Sequence, residues 1–387
     1  MKTIAKYIFF VYILLFDNII KGICCKKEAN KKKSDKAVCL IKVDGIGDSV
    51  IFLKVFNSLY NYYNALGYKI DLICAKPCGE LYESQWKFNN LYEINIRDLY
   101  NYKYRTMLAK QILQQEYSIV LNCAYSRTIS IDSLISIMNG KKKIGNQGDC
   151  GNTPGLIKWF TDKAYDELAP SSKDISEHNH NVDFLKWIGI NDFQYKKEKK
   201  SSAVVDNHRY FTLFPGASNT NKCWAAEKFA AVAEVVYRKT NWNIVICGGK
   251  DDALMAERIT QELADKNIQT QNKVGMTDIL ETCMIVGKSA LVITNDTSGV
   301  HIANLYGISN ICIAKGCDVG RFIDARDEHN RLIYPNHRAI YHKKSCSQLY
   351  KTKCLRKKKT LPCIMEITVD EVLNVVENLL DDSKFNN

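Results

Sequence analysis

Proline is scarce, with six in 387 residues, and glycine is modest at twenty. Neither a proline-rich linker protein nor a collagen-like repeat has such counts. No C-x-x-C pair occurs, which removes the commonest zinc and thioredoxin-type spacings. A bilayer-spanning helix needs roughly 20 apolar residues in succession. The apolar run "YIFFVYILLF" at 7–16 has ten, and Asp17 and Asn18 interrupt it before Ile19 and Ile20. A polytopic membrane protein is therefore excluded. Acidic residues are missing from 338–360, where nine Lys and Arg gather.

The formal charge is +12, but it is uneven. Residues 1–36 hold nine lysines against three acids, and 361–387 hold six acids against one lysine. With the basic run at 338–360 set aside as well, the remaining body is nearly neutral. A nucleic-acid binder would carry a broader basic stripe, so no nucleic-acid partner is expected. Hydrophobic residues at 46% and charged residues at 25% are ordinary for a globular chain, and the length suits two domains.

Fifteen cysteines are present. Cys39, Cys74, Cys123, Cys247 and Cys312 lie inside apolar runs, where thiols act as small hydrophobes in a reducing compartment. Cys346, Cys354 and Cys363 are spaced by eight and nine, which fits no common zinc pattern. No metal is expected. The N-terminal run reads as a signal segment, a single pass, a helix packed on the body or an interfacial anchor. "KGICC" offers no small-residue cleavage site. The lysines of "KKEANKKKSDK" favour the anchor, because each contributes about 1 kcal/mol near an anionic leaflet. Residues 1–36 are expected to be a membrane-interfacial extension.

From residue 37 short apolar strands alternate with amphipathic helices. Strands are expected at 37–43, 69–75, 93–97 and 118–123, with helices at 48–65, 104–116 and 127–138. "NDFQYKKEKKSSAVVDNH" is the linker candidate. The pattern then restarts, with strands at 210–214, 243–247, 290–294 and 310–314. Helices are expected at 225–239, 252–265 and 277–288. Thr368 and Glu371 form a capping box for a last helix at 369–380. Such alternation implies parallel sheets with right-handed crossovers. The expected fold is α/β, two Rossmann-like domains at 37–200 and 207–366 facing each other across a cleft. The closing helix, 367–387, is expected to pack back on the first domain.

Ligands of parallel sheets sit beyond the carboxyl ends of strands, so three strand-to-helix loops matter most. In "KVDGIGDSV", Gly45 and Gly47 allow a tight turn and Asp48 starts the helix, either as a simple N-cap or as a working carboxylate. Val50 breaks a G-x-G-x-x-G match, which disfavours dinucleotide binding. In "FPGASNTNKCWAAEKF", Gly216 follows the strand and Ser218 supplies a donor. Lys222 stands ahead of a helix, as a solvated lysine or a diphosphate ligand. In "TNDTSGVHIANLYG", Asp296, Thr297, Ser298 and Gly299 open a helix whose N–H groups can bind an anion. His301 falls on its first turn, as a loop-ordering residue or a ligand contact. Two anion-ready loops in one domain point to a nucleotide-diphosphate ligand there.

In this order the loops resemble glycosyltransferase family 9, the lipopolysaccharide heptosyltransferases. "CLIKVDGIGDSV" is similar to the family's opening strand and "GD" turn. Pro215 to Phe229 resembles its "P-G-A-S…K-x-W" segment, with Lys222, Trp224 and Phe229 in place. Asn295 to His301 resembles its "N-D-[ST]-G-x-x-H" segment, and "GRF" at 320–322 also fits. Ser298 and Gly299 stand where Gly and Pro are frequent, and Asp324 where Pro is often seen.

The resemblance implies a GT-B fold and metal-independent, inverting transfer of a heptose-type sugar. ADP-heptose would be the donor co-substrate and a lipid-linked glycan the acceptor. It implies Asp48 as general base, with Gly45, Gly47 and Arg127 on the acceptor side. Ser218, Lys222, Thr297, Ser298 and Gly299 would hold the donor diphosphate, supported by Gly216, Asp296 and His301. No cofactor is implied. The place of work would be cytoplasmic, peripheral on the inner membrane, with the anionic membrane surface as a partner.

Overall fold

The computed structural model describes residues 2–25, 36–172, 175–193, 209–342 and 362–381. The chain divides into two compact units, Met1–Tyr195 and Lys196–Asn387.

The first unit opens with helix α1 (Lys2–Cys25). The order continues β1 (Ala37–Lys42), α2 (Ile46–Ala65), β2 (Lys69–Ala75), α3 (Gly79–Glu83), β3 (Asn90–Ile94), α4 (Tyr102–Leu113) and β4 (Tyr117–Asn122). It ends with α5 (Ile129–Ile137), β5 (Gly140–Asn146), α6 (Gly155–Thr161), β6 (Glu167–Ala169) and α7 (Glu177–Trp187). Six parallel strands form one sheet in the order β3-β2-β1-β4-β5-β6. All six residues of β1 are buried, as a strand covered on both faces requires.

Residues 1–36 were expected to be a membrane-interfacial extension; helix α1 runs well past the ten-residue apolar run and packs on the body of the unit. It continues through Asp17 because that carboxylate is buried and doubly hydrogen-bonded by Arg105 of α4, with Nε–Oδ1 at 2.6 Å. Ser133 of α5 donates a further hydrogen bond to it. The residue that interrupts the apolar run is thus the fastening of the helix. Phe10, Ile13 and Ile20 are buried on the same side, against α4, α5 and α6. The helix belongs to the first unit rather than standing apart from it. No described helix is long and apolar enough to cross a membrane.

The second unit repeats the plan. Its elements are β7 (Tyr210–Phe214), α8 (Ala226–Thr240), β8 (Asn243–Ile246), α9 (Ala253–Ala264), β9 (Thr270–Asn272), α10 (Ile279–Gly287) and β10 (Leu291–Asn295). There follow α11 (Ser298–Tyr306), β11 (Asn310–Ile313), β12 (His337–Ile340), α12 (Pro362–Met365) and α13 (Val369–Asp381). The parallel sheet has the order β12-β11-β10-β7-β8-β9. Counted from β7, that is the same order as in the first unit.

Helix α13 packs on α8 and beside β11 and β12. Val372, Val376 and Leu379 join the core around Phe229 and Trp224, each burial worth about 1.5–3 kcal/mol at most. The expected return of this helix to the first domain is corrected: its apolar stripe completes the core of the second. The Thr368–Glu371 capping box is present, with Thr368 N–H donating to Glu371 at 2.7 Å. The basic run 343–359, Cys346, Cys354 and most of the linker candidate lie outside the described residues.

Candidate functional site

The order 3-2-1-4-5-6 reverses between the first and fourth strands, and ligands bind at that switch point. In the second unit the flanking strands are β7 and β10, which pair from Leu291↔Phe211 to Thr294↔Phe214. The second and third loops leave these two strands, and so the fold brings them together. Asn295, at the end of β10 and fully buried, joins them. Its amide donates to the Pro215 carbonyl, and its oxygen accepts from the Trp224 N–H at 3.1 Å. Trp224 anchors the far end of the loop, its indole N–H donating to the Ile367 carbonyl at 3.0 Å.

Lys222 reaches from the second loop to the third. Its Nζ lies 3.2 Å from Asp296 Oδ2 and 3.2 Å from Asp318 Oδ2. Lys315, just past β11, lies 2.9 Å from the same Asp318 oxygen. Burial works against the Lys222 charge, but the two carboxylates outweigh it and hold its proton above the usual lysine range. Burial, with a hydrogen bond shared with Asp318, pushes the Asp296 carboxyl up to about 6. Burial would raise Asp318 too, but the hydrogen bond from Asp296 and the charges of Lys222 and Lys315 keep it low. Two lysines and two carboxylates thus share a half-enclosed cluster, with Lys222 held in place rather than solvated.

Helix α11 starts beside this cluster. Thr297 is its N-cap residue and Ser298 its first residue; both are half-buried. The opening N–H groups of a helix have no intrahelical acceptor and carry its positive pole. Gly299 is required for packing: a Cβ there would stand 2.6 Å from the Phe214 ring. Gly216 has a similar reason, since its Cβ would overlap the Asp252 carboxyl at 2.0 Å. His301 is buried, and burial pushes its imidazole down to about 3, so it is neutral at physiological pH. Its Nδ1 has no hydrogen-bond partner among the described residues. Ser218 is exposed on the loop.

In the first unit the corresponding loop follows β1. Gly45 is the N-cap of α2 in an extended conformation, so Asp48 sits in the first turn rather than at the cap. A second charge cluster surrounds it. Lys42 is fully buried, with Nζ 2.9 Å from Asp44. Burial opposes the Lys42 charge, but Asp44, Glu177 and Asp48 outweigh it and raise its proton affinity. Glu177 and His178 come from the first turn of α7, which packs on α2. Burial, with the Lys54 charge, pushes His178 down to about 3. Arg127, expected on the acceptor side, is held by carboxylates of its own unit. It is buried, ion-paired with Asp162 and, at 3.8 Å, with Asp132, and lies over the Tyr165 ring at 4.6 Å. Its Nη2 pairs with Asp162, while Nε and Nη1 have no hydrogen-bond partner among the described residues.

Sequence reasoning missed Lys315 and Asp318, and Lys42, Asp44, Glu177 and His178. Lys315 and Asp44 stand just past buried strands, the position that points to a ligand site in such sheets. Glu177 and His178 fall in "SEHNHN", where two of seven histidines crowd together. Among the described residues no group of three His, Cys, Asp or Glu side chains has metal-holding geometry.

Two Rossmann-like domains, each built on a six-stranded parallel sheet, define the GT-B class of glycosyltransferase fold. The chain belongs to glycosyltransferase family 9 (heptosyltransferase), which matches residues 105–359. It is 23% identical over 286 residues to the Haemophilus influenzae lipopolysaccharide core heptosyltransferase OpsX, covering 71% of this chain and 78% of that one. It is 26% identical over 172 residues to lipooligosaccharide heptosyltransferase 2 of Campylobacter jejuni, covering 44% of this chain. In that match the chain spans about half the length of the relative, 51%. Among solved structures, the E. coli heptosyltransferase WaaC with ADP-2-deoxy-2-fluoro heptose superposes with a TM-score of 0.62. That pair is 14% identical and covers 89% of this chain and 99% of the other, a likeness of fold.

Proposed function

We propose that this glycosyltransferase moves a heptose-type sugar from ADP-heptose to a lipopolysaccharide core or another lipid-linked glycan, inverting the anomeric centre. The observation that carries the reading is the cradle formed by Lys222, Asp296, Asp318 and Lys315 beside the start of α11. A diphosphate needs cationic donors and free N–H groups; Lys222 and Lys315 offer the first, their charges now offset by Asp296 and Asp318, and the start of α11 offers the second. Relatives named as heptosyltransferases, one solved with an ADP-sugar, support the donor class.

In this reading Asp48 takes the proton of the acceptor hydroxyl as its oxygen bonds to the anomeric carbon. The bond from that carbon to the diphosphate breaks, and the electron pair leaves with the diphosphate. Lys222 and the N–H groups of Ser298 and Gly299 stabilise that developing charge, with Thr297 and Ser218 donating hydroxyls. Lys222 is already aligned by Asp296 and Asp318, so little ordering cost remains when the donor enters. Gly45 and Gly47 leave room for the acceptor beside Asp48. The place of work is the cytoplasmic face of the inner membrane, with the enzyme peripheral. A second reading keeps this machinery with another donor sugar or acceptor, or as a binding protein without turnover.

The test is release of ADP from ADP-heptose with a core-lipid acceptor, for wild type and Asp48→Asn. The expected result is a loss of about 100-fold or more in kcat for the variant, with ADP affinity unchanged. Binding of ADP-heptose without release by wild type on any such acceptor would refute the transfer reading.

A further inference from the structure

Helix α1 uses one side for the body and leaves the other uncovered. Ile4, Ile8, Val11, Leu15 and Ile19 recur every three or four residues along it and are 56–67% exposed. That spacing makes a single outward stripe. No carboxylate lies on that stripe, because the only acidic residue of the helix is the buried Asp17. A soluble surface rarely carries so continuous an apolar patch without a partner.

A second helix extends the patch. Ile157 of α6 is buried with Phe10 and Ile13 of α1, and the Phe10 and Phe160 rings are 6.1 Å apart. The two helices are therefore surface neighbours. Leu156, Trp159 and Phe160 of α6 are also exposed, Trp159 by 56%. The Lys163 ammonium lies 3.9 Å from the Trp159 ring centre. A tryptophan capped by a lysine is apolar in body and polar at its tip, the composition of a membrane–water boundary.

Between the helices opens a cavity of about 410 Å³, walled by Phe10, Leu14 and Phe160 and rimmed by Lys141, Lys143 and Lys163. Two carboxylates also line it. Asp132 is engaged by Arg127 and Tyr165, and Asp166 accepts the Lys143 N–H. The sequence after α1, "KKEANKKKSDK", is strongly basic. Apolar stripe, aromatic–lysine edge and basic rim complement one occupant, a bilayer bearing anionic headgroups. A second copy of the chain would bring the same lysines against themselves.

We propose that α1 and α6 form one face that lies flat on an anionic bilayer. Ile8, Leu15 and Trp159 enter the acyl boundary, and Lys141 and Lys163 meet headgroup phosphates. The inner side of α1 is committed to the body through Asp17 and Arg105, so the helix lies on the surface. Only the use of this face, delivery of a lipid-linked acceptor, rests on the transfer reading above. The docking itself does not.

The experiment is flotation of the full chain with two-to-one phosphatidylethanolamine–phosphatidylglycerol vesicles and with phosphatidylcholine vesicles. Wild type is expected to float with the first and not the second. Ile8→Ser/Leu15→Ser/Trp159→Ser should lower partition by about tenfold or more while melting as wild type does. Lys141→Gln/Lys163→Gln should weaken binding to the anionic vesicles. Should the triple variant melt early, Trp159→Phe is used instead, and it must remove most fluorescence quenching by brominated lipids. Undiminished flotation of a folded triple variant, or undiminished quenching in Trp159→Phe, overturns the proposal. So does a lipid-free dimer of wild type that the triple variant turns into monomer, because the face then joins two copies. ADP release on a detergent-dispersed acceptor separates the two readings: its absence in wild type refutes transfer and leaves flotation standing.

Discussion

Replacing Asp17 by alanine should damage the first unit far more than loss of one surface carboxylate would. The side chain is 1% exposed, as is Arg105. Two hydrogen bonds join them, with Ser133 completing the carboxylate and the Ser130 carbonyl accepting from Arg105 at 3.2 Å. Asp17→Ala strands a buried guanidinium, and breaking such a pair costs about 3–5 kcal/mol. For a unit of this size that lowers its melting temperature by roughly 6–20 °C, at about 2–4 °C per kcal/mol. Lifting α1 away would limit the loss, since Arg105 would then reach water. Hydrogen exchange distinguishes the two outcomes, because detachment exposes amides of residues 4–20 before those of α4.

The paired change Asp17→Leu/Arg105→Met removes both charges and should recover stability to within about 1 kcal/mol of wild type. The assay is urea unfolding read by exchange-resolved peptides from α4 and α5, since two units need not unfold in one step. A cost below about 1 kcal/mol for Asp17→Ala would refute the reasoning. A double variant as unstable as the single one would do so as well.

Lys222→Ala should weaken ADP binding by about 10- to 100-fold, the value of a charge-assisted contact of about 1.5–3 kcal/mol. Lys239→Ala, which removes an exposed pair with Glu377, should change it less than twofold; calorimetric titration decides, and equal effects would remove Lys222 from the diphosphate site. His178, His301 and His337 are held neutral by burial, at about 3, 3 and 4. Unfolding restores their ordinary affinity for protons, so their contribution is present above about 6.5 and is lost as pH falls toward 3. Urea midpoints at pH 7, 5.5 and 4.5 should fall in that order. His301→Gln should reduce the slope by up to one proton, and an unchanged slope would refute its burial as neutral imidazole.

Much of the fold was legible because buried parallel strands are short apolar runs. "YFTLF" marks β7 and "NIVIC" marks β8. Strand β5 was not legible, because "GKKKIGN" shows three lysines in succession and its apolar support comes from neighbouring strands. In the site, the loops were legible from their place after strands and from their resemblance to a family. Their internal arrangement was not. Lys222 meets Asp318 96 positions later, and no local pattern announces such a pair. Arg127, placed on the acceptor side by the family resemblance, has partners no local pattern announces: Asp132, Asp162 and Tyr165 draw it inward. Asp17 was read as an interruption because its partner lies 88 residues away.

The all-parallel sheets also set a schedule for the nascent chain. Val38 at the centre of the first sheet pairs with Ile70 on one side and Ile119 on the other. Thr212 likewise pairs with Val245 and Val292. Neither central strand can be flanked on both sides until a long stretch of later sequence has left the ribosome. Contacts so distant along the chain slow folding, since loop closure must precede their gain. Each unit therefore spends its synthesis with an apolar strand edge open to other chains. The first unit waits with β1 and β2 exposed, and the second with β7 and β8 over a stretch of nearly the same length.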